Sequence, residues 1–300
     1  MGEWYTRRMA KKAKKVAAKK DAKKTLKSIP VTKVPPIKYW SHSSLLSFLR
    51  NPLAWHKRYV DKIYDTPSGA SAVVGRAGHI ALQHFYSGIN KDGSIQLGLE
   101  YLRDVPDFEI NFGVARTEAE KKKKRENMER EYLQAMVFYL EKPPKHKVVG
   151  VEEVGMAHIP GHVLPIKAVS DLVVQSPLNK KALDIVDHKF VDSFSPGGKD
   201  KTLFILQAIF NYYTVREKFK KPILRFILYE CKKRRNADGS PQMRKYIIDY
   251  REAAEGFEVF HRLLQQATEE IMRERHYLPN PSDMFEGENS FDIYRLNLGN

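Results

Sequence analysis

Residues 182–190 read Ala-Leu-Asp-Ile-Val-Asp-His-Lys-Phe, a run with the β-branched and apolar content of a buried strand. Side chains alternate between the two faces of a strand, so Asp187 and Lys189 share one face with two aliphatic residues. Charges are costly to bury among apolar side chains unless they have partners. One interpretation is therefore a buried ion pair, or an edge strand whose polar residues are hydrated. The other is a metal-binding carboxylate beside a cation.

The preceding predicted strand, residues 163–174, supplies a second carboxylate. Asp171 lies between two valines on the same face, so another acid falls among apolar side chains. Residues 176–179, Ser-Pro-Leu-Asn, predict a turn that joins the two strands as a hairpin. In such a hairpin Asp171 and Asp187 can converge on one cation, and paired carboxylates suit Mg²⁺ or Mn²⁺.

Hydrophobic periodicity around these strands predicts a mixed α/β (α+β) fold, with a central mixed β-sheet flanked by helices. We predict helices over residues 41–62 (broken at Asn51-Pro52), 69–87, 117–141, 201–219 and 251–276, and strands over residues 148–156, 163–174, 182–190, 223–231 and 243–250. This order divides the chain into a basic disordered tail and linker (residues 1–38), a helical N-terminal part (residues 39–145) and a sheet core with a C-terminal helix (residues 146–300).

The positive charge of the chain is concentrated at its start. The formal net charge is +16, yet residues 1–38 hold 13 Lys and Arg against two acids. The other 262 residues hold 39 Lys and Arg against 34 acids, so the remainder is only mildly basic. Two interpretations of the tail stay open, a nucleic-acid-binding arm and a solvated segment.

Composition excludes several classes of protein. Hydrophobic residues make up 42%, enough for a sizeable core, but the apolar runs are too short for a transmembrane helix. A single cysteine, Cys231, excludes a disulfide framework and a four-cysteine zinc or iron–sulfur site. The lone cysteine and the lack of a recognisable signal peptide lead us to expect a cytoplasmic protein.

Five polar positions occur in order along the chain: His79, Asp171, Asp187, Lys189 and Gln207. Taken singly, the histidine and the glutamine are typical of core residues with satisfied hydrogen bonds. Taken together, the five resemble the PD-(D/E)xK nuclease superfamily, in its RecB-like exonuclease branch. Further segments extend the resemblance over about residues 41–285: Gly75-x-x-x-His79, Ser43-Ser44-Leu45 through Asn51-Pro52 to Tyr59, and His276-Tyr277-Leu278-Pro279-Asn280-Pro281.

The resemblance implies a restriction-endonuclease-like core and a role for each polar position. It gives Mg²⁺ or Mn²⁺ four ligands: His79, Asp171, Asp187 and the backbone carbonyl of His188. It gives catalytic roles to four residues: Asp171, Asp187, Lys189 and Gln207. Lys189 would orient or help to deprotonate the attacking water and stabilise the developing charge, while Gln207 would position the substrate or the lysine.

Two departures from the family pattern are informative. Asn51 stands where many relatives have Cys, and no cysteine follows Pro281, so no iron–sulfur cluster is expected. This points to a cluster-free, phage-type relative in a bacterial or phage-infected cell. Asn211 stands where the family's Gln-x-x-x-Tyr element has tyrosine, with Tyr212 and Tyr213 next, so the role of that tyrosine is open.

The resemblance implies a metal-dependent DNA exonuclease that acts on ends or single strands in recombination or repair. A structure-specific endonuclease of the same fold and a catalytically silent DNA-binding protein are the alternatives. DNA is the expected partner, a single-strand-binding or annealing protein of recombination is a second candidate, and no membrane partner is expected.

Two groups of side chains outside the five positions are candidates for contact with DNA. Basic residues form two runs, of which the first can equally be a solvated helix face: Lys121, Lys122, Lys123, Lys124 and Arg125, then Lys232, Lys233, Arg234 and Arg235. Aromatic residues that can stack on bases, or pack in the core, are Tyr39, Trp40, Phe48, Trp55 and Tyr59.

Overall fold

The computed structural model describes residues 34–64, 66–195, 202–238 and 242–280. Most of the predicted basic tail therefore lies outside the described residues. Within residues 34–38, the side chain of Ile37 is buried against the core. The end of the C-terminal motif, beyond residue 280, also lies outside the described part.

A five-stranded mixed sheet forms the centre of the fold. The described residues form seven strands, of which the last five make this sheet: β1 (Ser68–Gly69), β2 (Ile110–Asn111), β3 (Val148–Ala157), β4 (Ile166–Gln175), β5 (Leu183–Val191), β6 (Ile223–Lys232) and β7 (Met243–Asp249). The first two form a small parallel ladder, and the other five form the central sheet in sequence order. Strands β5 and β6 are parallel, whereas the remaining neighbours in this sheet are antiparallel. The predicted hairpin is confirmed, and the central position of β5 excludes the edge-strand interpretation of residues 182–190.

Helices cover both faces of this sheet. They are α1 (His42–Arg50), α2 (Pro52–Trp55), α3 (Ala70–Tyr86), α4 (Lys91–Asp104), α5 (Glu118–Glu141), α6 (Thr202–Phe219) and α7 (Ala254–Ile271). On one face Val173 and Ile185 pack with Ala208 of α6, and on the other Leu172 and Val186 pack with Tyr86 of α3. The mixed sheet between helices that the sequence predicts is therefore present. Among the described helices, none is both long and apolar enough to cross a membrane.

Local sequence signals account for two helix starts. The hydroxyl of Thr117 accepts a hydrogen bond from the Glu120 N–H, and the Glu120 carboxylate accepts one from the Thr117 N–H, which together form a capping box for α5. Asn51 begins α2, because its side-chain oxygen accepts a hydrogen bond from the Ala54 N–H at 3.1 Å. The residue that replaces the family's cysteine thus caps a helix.

Helix α4 is absent from the sequence prediction. Gly93 and Gly98 lower its helix propensity and obscure its periodicity. Gly98 has a packing reason, since a Cβ there would lie 2.2 Å from the Tyr132 hydroxyl and 2.6 Å from the Ala77 carbonyl oxygen. The glycine that hides the helix therefore lets α4 pack closely on α3 and α5.

Three of the aromatic residues proposed to stack on bases belong to the core. Trp40, Phe48 and Trp55 are buried in one apolar cluster, and the Trp40 indole N–H donates to the Thr268 hydroxyl at 2.9 Å. Of the two alternatives, core packing applies to these three residues, because hydrophobic burial already uses their rings. Tyr39 and Tyr59 are only half-buried.

Candidate active site

The candidate site lies where β4 and β5 separate. Their ladder ends at the Leu172–Val186 pair, while β4 continues beside β3 and β5 continues beside β6. The next residue beyond that pair is an acid on each strand, Asp171 on β4 and Asp187 on β5. Both acids follow the alternation of the face that α6 covers. Between the separating strands, side chains from α3 and α6 reach these acids.

Asp171 is the centre of a hydrogen-bonded group. Its Oδ2 accepts a hydrogen bond from the His188 N–H at 2.7 Å and lies 3.3 Å from Nδ1 of His79 on α3. Burial opposes ionisation of this carboxyl, but His79 and His188 outweigh it and hold the pKa of Asp171 well below its usual range. The acid is thus an oriented carboxylate anion.

Asp187 is held by two different side chains. Nζ of Lys189 lies 2.7 Å from its Oδ2, and Nε2 of Gln207 on α6 donates to its Oδ1 at 2.6 Å. Burial and the nearby charge of Asp171 raise the pKa of Asp187, although Lys189 opposes the shift. Burial disfavours the protonated amine of Lys189, but Asp187 and Asp171 outweigh it and raise the pKa of the lysine.

Glu152 on β3 joins this group, although the sequence analysis does not select it. It lies opposite Asp171, between the Val151–Leu172 and Glu153–Ser170 pairs, and has a φ of 50°. One ligand atom from each of His79, Glu152 and Asp171 lies within 4.8 Å of the others. Burial and the charge of Asp171 raise the pKa of Glu152 to about 7. The signal in the sequence is faint: two consecutive acids within an apolar strand.

The donor atoms fit a divalent cation. Glu152, Asp171 and the His79 imidazole form the group of close ligand atoms, and Asp187 on the strand next to β4 is near enough for its charge to raise the pKa of Glu152. A set rich in oxygen with one nitrogen is compatible with Mg²⁺ or Mn²⁺. Burial raises the pKa values of Glu152 and Asp187, and the negative charge of Asp171 adds to both shifts; a dication would neutralise that charge.

His188 contributes its backbone to the site and its side chain to the core behind it. The imidazole lies between the rings of Tyr86 and Tyr229, and its Nε2 is 2.8 Å from the Tyr139 hydroxyl. The side chain thus holds this part of β5 in place, which keeps the His188 N–H directed at Asp171. The carbonyl of His188 stays a proposed ligand.

Asn211 replaces the family's tyrosine with a bridge between α6 and β4. Its Oδ1 accepts a hydrogen bond from the Ser170 hydroxyl at 2.8 Å, and its Nδ2 donates to the Gln207 carbonyl at 3.2 Å. Tyr212 packs on Tyr250 instead, and the Tyr213 hydroxyl lies 2.8 Å from Nε2 of His261 on α7. Asn211 therefore helps to hold Gln207 beside the acids, while the two tyrosines pack elsewhere.

The two basic runs meet around a cavity of about 260 Å³ lined by Lys124, Lys233 and Arg234. Four of the nine basic residues are already in ion pairs: Lys121 with Glu118, Arg125 with Asp107, Lys233 with Asp192 and Arg234 with Glu131. The Lys233 side chain is only 1% exposed, and Lys232 bonds Asn236. The exposed candidates for DNA contact outside these pairs are Lys122, Lys123, Lys124 and Arg235.

The position of His79 depends on a glycine next to it. A Cβ at Gly78 would lie 2.4 Å from the Phe190 ring of β5, whereas a Cβ at Gly75, the glycine of the sequence motif, meets nothing within 4 Å. We expect Gly78→Ala to lower the free energy of unfolding by about 1–3 kcal/mol through overpacking. Gly75→Ala on the same helix should raise it by about 0.5–1 kcal/mol. Urea unfolding measures both, and equal stability of the two variants would contradict the packing argument.

Comparisons with known proteins identify the family and support the fold. The sequence model of the PD-(D/E)XK nuclease superfamily matches residues 39–284. A solved structure of a provisionally assigned exonuclease from Eubacterium rectale has a TM-score of 0.51 at 13% identity, over 84% of this chain and 87% of that chain. At this identity the likeness concerns the fold alone.

Two other comparisons add little. The structure of SSO0001 covers 85% of this chain and 93% of that chain at 15% identity, but its TM-score of 0.29 carries no argument. No curated protein matches the chain.

Proposed function

Because the chain belongs to the PD-(D/E)XK nuclease superfamily, we propose that this nuclease is a metal-dependent DNA exonuclease acting on ends or single strands in recombination or repair. The observation that carries the proposal is the cluster of Glu152, Asp171 and His79 beside the Asp187–Lys189 pair, where β4 and β5 separate. His79 comes from the helical part of the chain and the other groups come from the sheet. We therefore propose that residues 39–145 and the sheet core act as one nuclease unit.

The proposed mechanism assigns each side chain a distinct task. His79, Glu152, Asp171 and Asp187 would hold Mg²⁺ or Mn²⁺, with the His188 carbonyl as a further ligand. When bound, the cation neutralises charge on the scissile phosphate and lowers the pKa of a coordinated water.

Lys189 supplies positive charge to the reaction. In the metal-free protein Asp187 and Asp171 raise its pKa, so Nζ is protonated there and can donate a hydrogen bond. It would orient the attacking water and stabilise the negative charge that develops on the phosphate oxygens. Gln207 fixes the Asp187 carboxylate on the side away from Lys189, which keeps the lysine directed at the reacting group.

The exonuclease proposal has a simple test against its endonuclease alternative. The Eubacterium rectale protein's provisional assignment as an exonuclease supports the choice. With Mg²⁺ or Mn²⁺, we expect linear DNA to be degraded and covalently closed circular DNA of the same sequence to stay intact. Cutting of the circle would favour a structure-specific endonuclease, and a protein that binds DNA without cutting either form would favour the silent alternative.

Glu152 gives the metal-free protein a characteristic dependence on pH. Its pKa is about 7 in the folded protein against an ordinary value of 4.5, so its ionisation costs folding free energy. That cost is absent below about pH 4.5, grows as the pH rises, and is complete above about pH 7. We therefore expect Glu152→Gln to raise the Tm of the metal-free protein at pH 8 but hardly at pH 4.5, and to weaken Mn²⁺ binding.

Glu153→Gln provides the matched control for this change. Its carboxylate pairs with Lys218, so its loss should lower the Tm slightly and leave Mn²⁺ binding unchanged. Thermal melts at the two pH values, with and without Mn²⁺, compare the variants. A Glu152→Gln variant that binds Mn²⁺ as tightly as the wild type would remove Glu152 from the ligand set.

A further inference from the structure

A cavity of about 660 Å³ adjoins the candidate active site, between the N-terminal segment, residues 59–64 beyond α2, strand β4 and helix α6. Its volume is within the range of sites that hold small organic ligands. We infer that it holds an unpaired nucleotide of the strand being cut, so that the enzyme selects single strands and frayed ends. The inference rests on the proposed function, whose substrate it specifies.

The cavity shares a wall with the catalytic residues. Gln207 lines it and donates to Asp187 at 2.6 Å, so one side chain separates its contents from the acids. Val169 lines it from β4, two residues before Asp171 and on the same face, which is about 7 Å along the strand. A nucleotide in the cavity would therefore lie next to a scissile phosphate bound at Asp171 and Asp187.

The lining chemistry suits a nucleotide. Three tyrosines and three lysines contribute to the wall, and no described lining residue carries a carboxylate: Tyr39, Tyr59, Tyr64, Lys38, Lys62 and Lys167. Aromatic faces stack on bases and lysines attract phosphates, which together provide sequence-independent binding of single strands. The absence of acids separates this cavity from the one at the basic runs, whose wall includes Glu131 and Asp192.

The main chain holds Tyr39 and Lys167 side by side. The backbone N–H of Trp40 donates a hydrogen bond to the Pro165 carbonyl at 3.0 Å, and the Trp40 carbonyl accepts one from the Lys167 N–H at 2.7 Å. These two bonds attach the chain around Trp40 to β4. Nζ of Lys167 consequently lies 5.1 Å from the centre of the Tyr39 ring. A stacking surface and a phosphate contact are thus prearranged at one point.

The opposite wall is built in a similar way. The Lys62 ammonium donates to the Tyr59 carbonyl at 2.5 Å, in a turn where Lys62 has a φ of 61°. The guanidinium carbon of Arg58 lies 5.5 Å from the centre of the Tyr64 ring, which is 64% exposed. A base can reach these rings with its face only when it is unpaired, because pairing within a duplex keeps its faces stacked on neighbouring bases.

Binding without metal tests the inference separately from cleavage. A single-stranded oligonucleotide carrying 2-aminopurine near its end, in EDTA, is titrated with wild type, Tyr39→Ala and Tyr39→Phe. We expect Tyr39→Ala to weaken binding about tenfold and to reduce the quenching of 2-aminopurine, as expected for loss of one stacked base. Tyr39→Phe keeps the aromatic ring and should retain both the affinity and the quenching of 2-aminopurine. A blunt duplex should bind the three proteins equally.

Lys167→Ala tests the phosphate contact in the same assay. The slope of log affinity against log salt for the single strand should fall in magnitude by about 0.7. Unchanged single-strand binding in Tyr39→Ala, or an equal loss for the duplex, would overturn the inference. The assay measures binding and involves no cleavage. It therefore tests the cavity even if the protein proves not to be a nuclease, and nuclease activity would not compensate for unchanged binding in Tyr39→Ala.

Discussion

Lys189→Ala is expected to slow hydrolysis of linear DNA by about 10²–10³-fold while the protein still binds Mn²⁺. The lysine supplies a positive charge 2.7 Å from Asp187 and takes no part in the proposed ligand set. Removing it takes away a repulsive neighbour of the cation, so Mn²⁺ affinity should be equal to or higher than that of the wild type. Single-turnover cleavage and calorimetric titration with Mn²⁺ measure the two effects separately.

Lys221→Ala is the matched control for the lysine. Lys221 is exposed just before β6, beside the start of β5 and so at the opposite end of the strand from the candidate site. Its loss should change neither cleavage nor Mn²⁺ binding. A Lys189→Ala variant that cleaves at the wild-type rate would remove the lysine from catalysis. One that loses Mn²⁺ affinity would instead make Lys189 a group that organises the site.

Asp171→Asn is expected to abolish both cleavage and Mn²⁺ binding while the fold persists. Asparagine can still accept the hydrogen bond from the His188 N–H, but it supplies no negative charge to a dication. The loss of Mn²⁺ affinity should exceed the roughly 10–100-fold that is typical when a group that only supports a ligand is removed. Removing the charge relieves its repulsion with Asp187 but also removes its attraction to His79, so the free energy of unfolding should fall by less than it does when a buried ion pair is broken.

Asp184→Asn on β5 is the control for this variant, and we expect it to lower stability while Mn²⁺ binding is kept. Asp184 is fully buried and pairs with Arg225 at 2.5 Å, on the side of β5 away from the site residues. Breaking a buried pair leaves an uncompensated charge, at a cost of about 3–5 kcal/mol in unfolding free energy. This variant should therefore be less stable and still bind Mn²⁺ at low temperature. Equal stability of the two variants, or loss of Mn²⁺ binding in both, would contradict the division between a structural and a metal-binding aspartate.

The sheet and its two central acids could be predicted because each depends on short-range pattern. Alternation with a period of two places Asp171 and Asp187 on faces that are otherwise apolar, and a turn between the strands brings those faces together. Helix α5 could also be predicted from the sequence, and the residues of its predicted apolar stripe are all buried: Met128, Tyr132, Ala135, Met136 and Tyr139. The superfamily follows from the order of these local signals.

Glu152 could not be predicted, because a positive φ interrupts the alternation that a strand pattern assumes. Helix α4 was missed for a comparable reason, since the close approach of Tyr132 and Ala77 requires a glycine at position 98. In both cases contacts made by distant parts of the chain decide the local sequence. Propensity and period carry no information about such contacts.

The charge that the two basic runs offer to DNA could not be predicted from the sequence either, because ion pairs with distant residues decide it. Arg125 pairs with Asp107, 18 residues away, and Arg234 pairs with Glu131, 103 residues away. A run of Lys and Arg looks like a DNA-binding patch in sequence, yet the fold neutralises part of it internally. The cavity beside Gln207 is the reverse case, because its lysines are scattered at positions 38, 62 and 167 and meet only in three dimensions.

Digestion of end-labelled linear DNA by the wild type and by Asp171→Asn, with Mg²⁺, with Mn²⁺ and in EDTA, tests the central claim most directly. The account predicts degradation by the wild type with at least one of the two ions, none in EDTA, and none by Asp171→Asn under any condition. Degradation that persists in EDTA or in Asp171→Asn, or a folded wild type that leaves DNA intact with both ions, would contradict a metal-dependent nuclease site between β4 and β5.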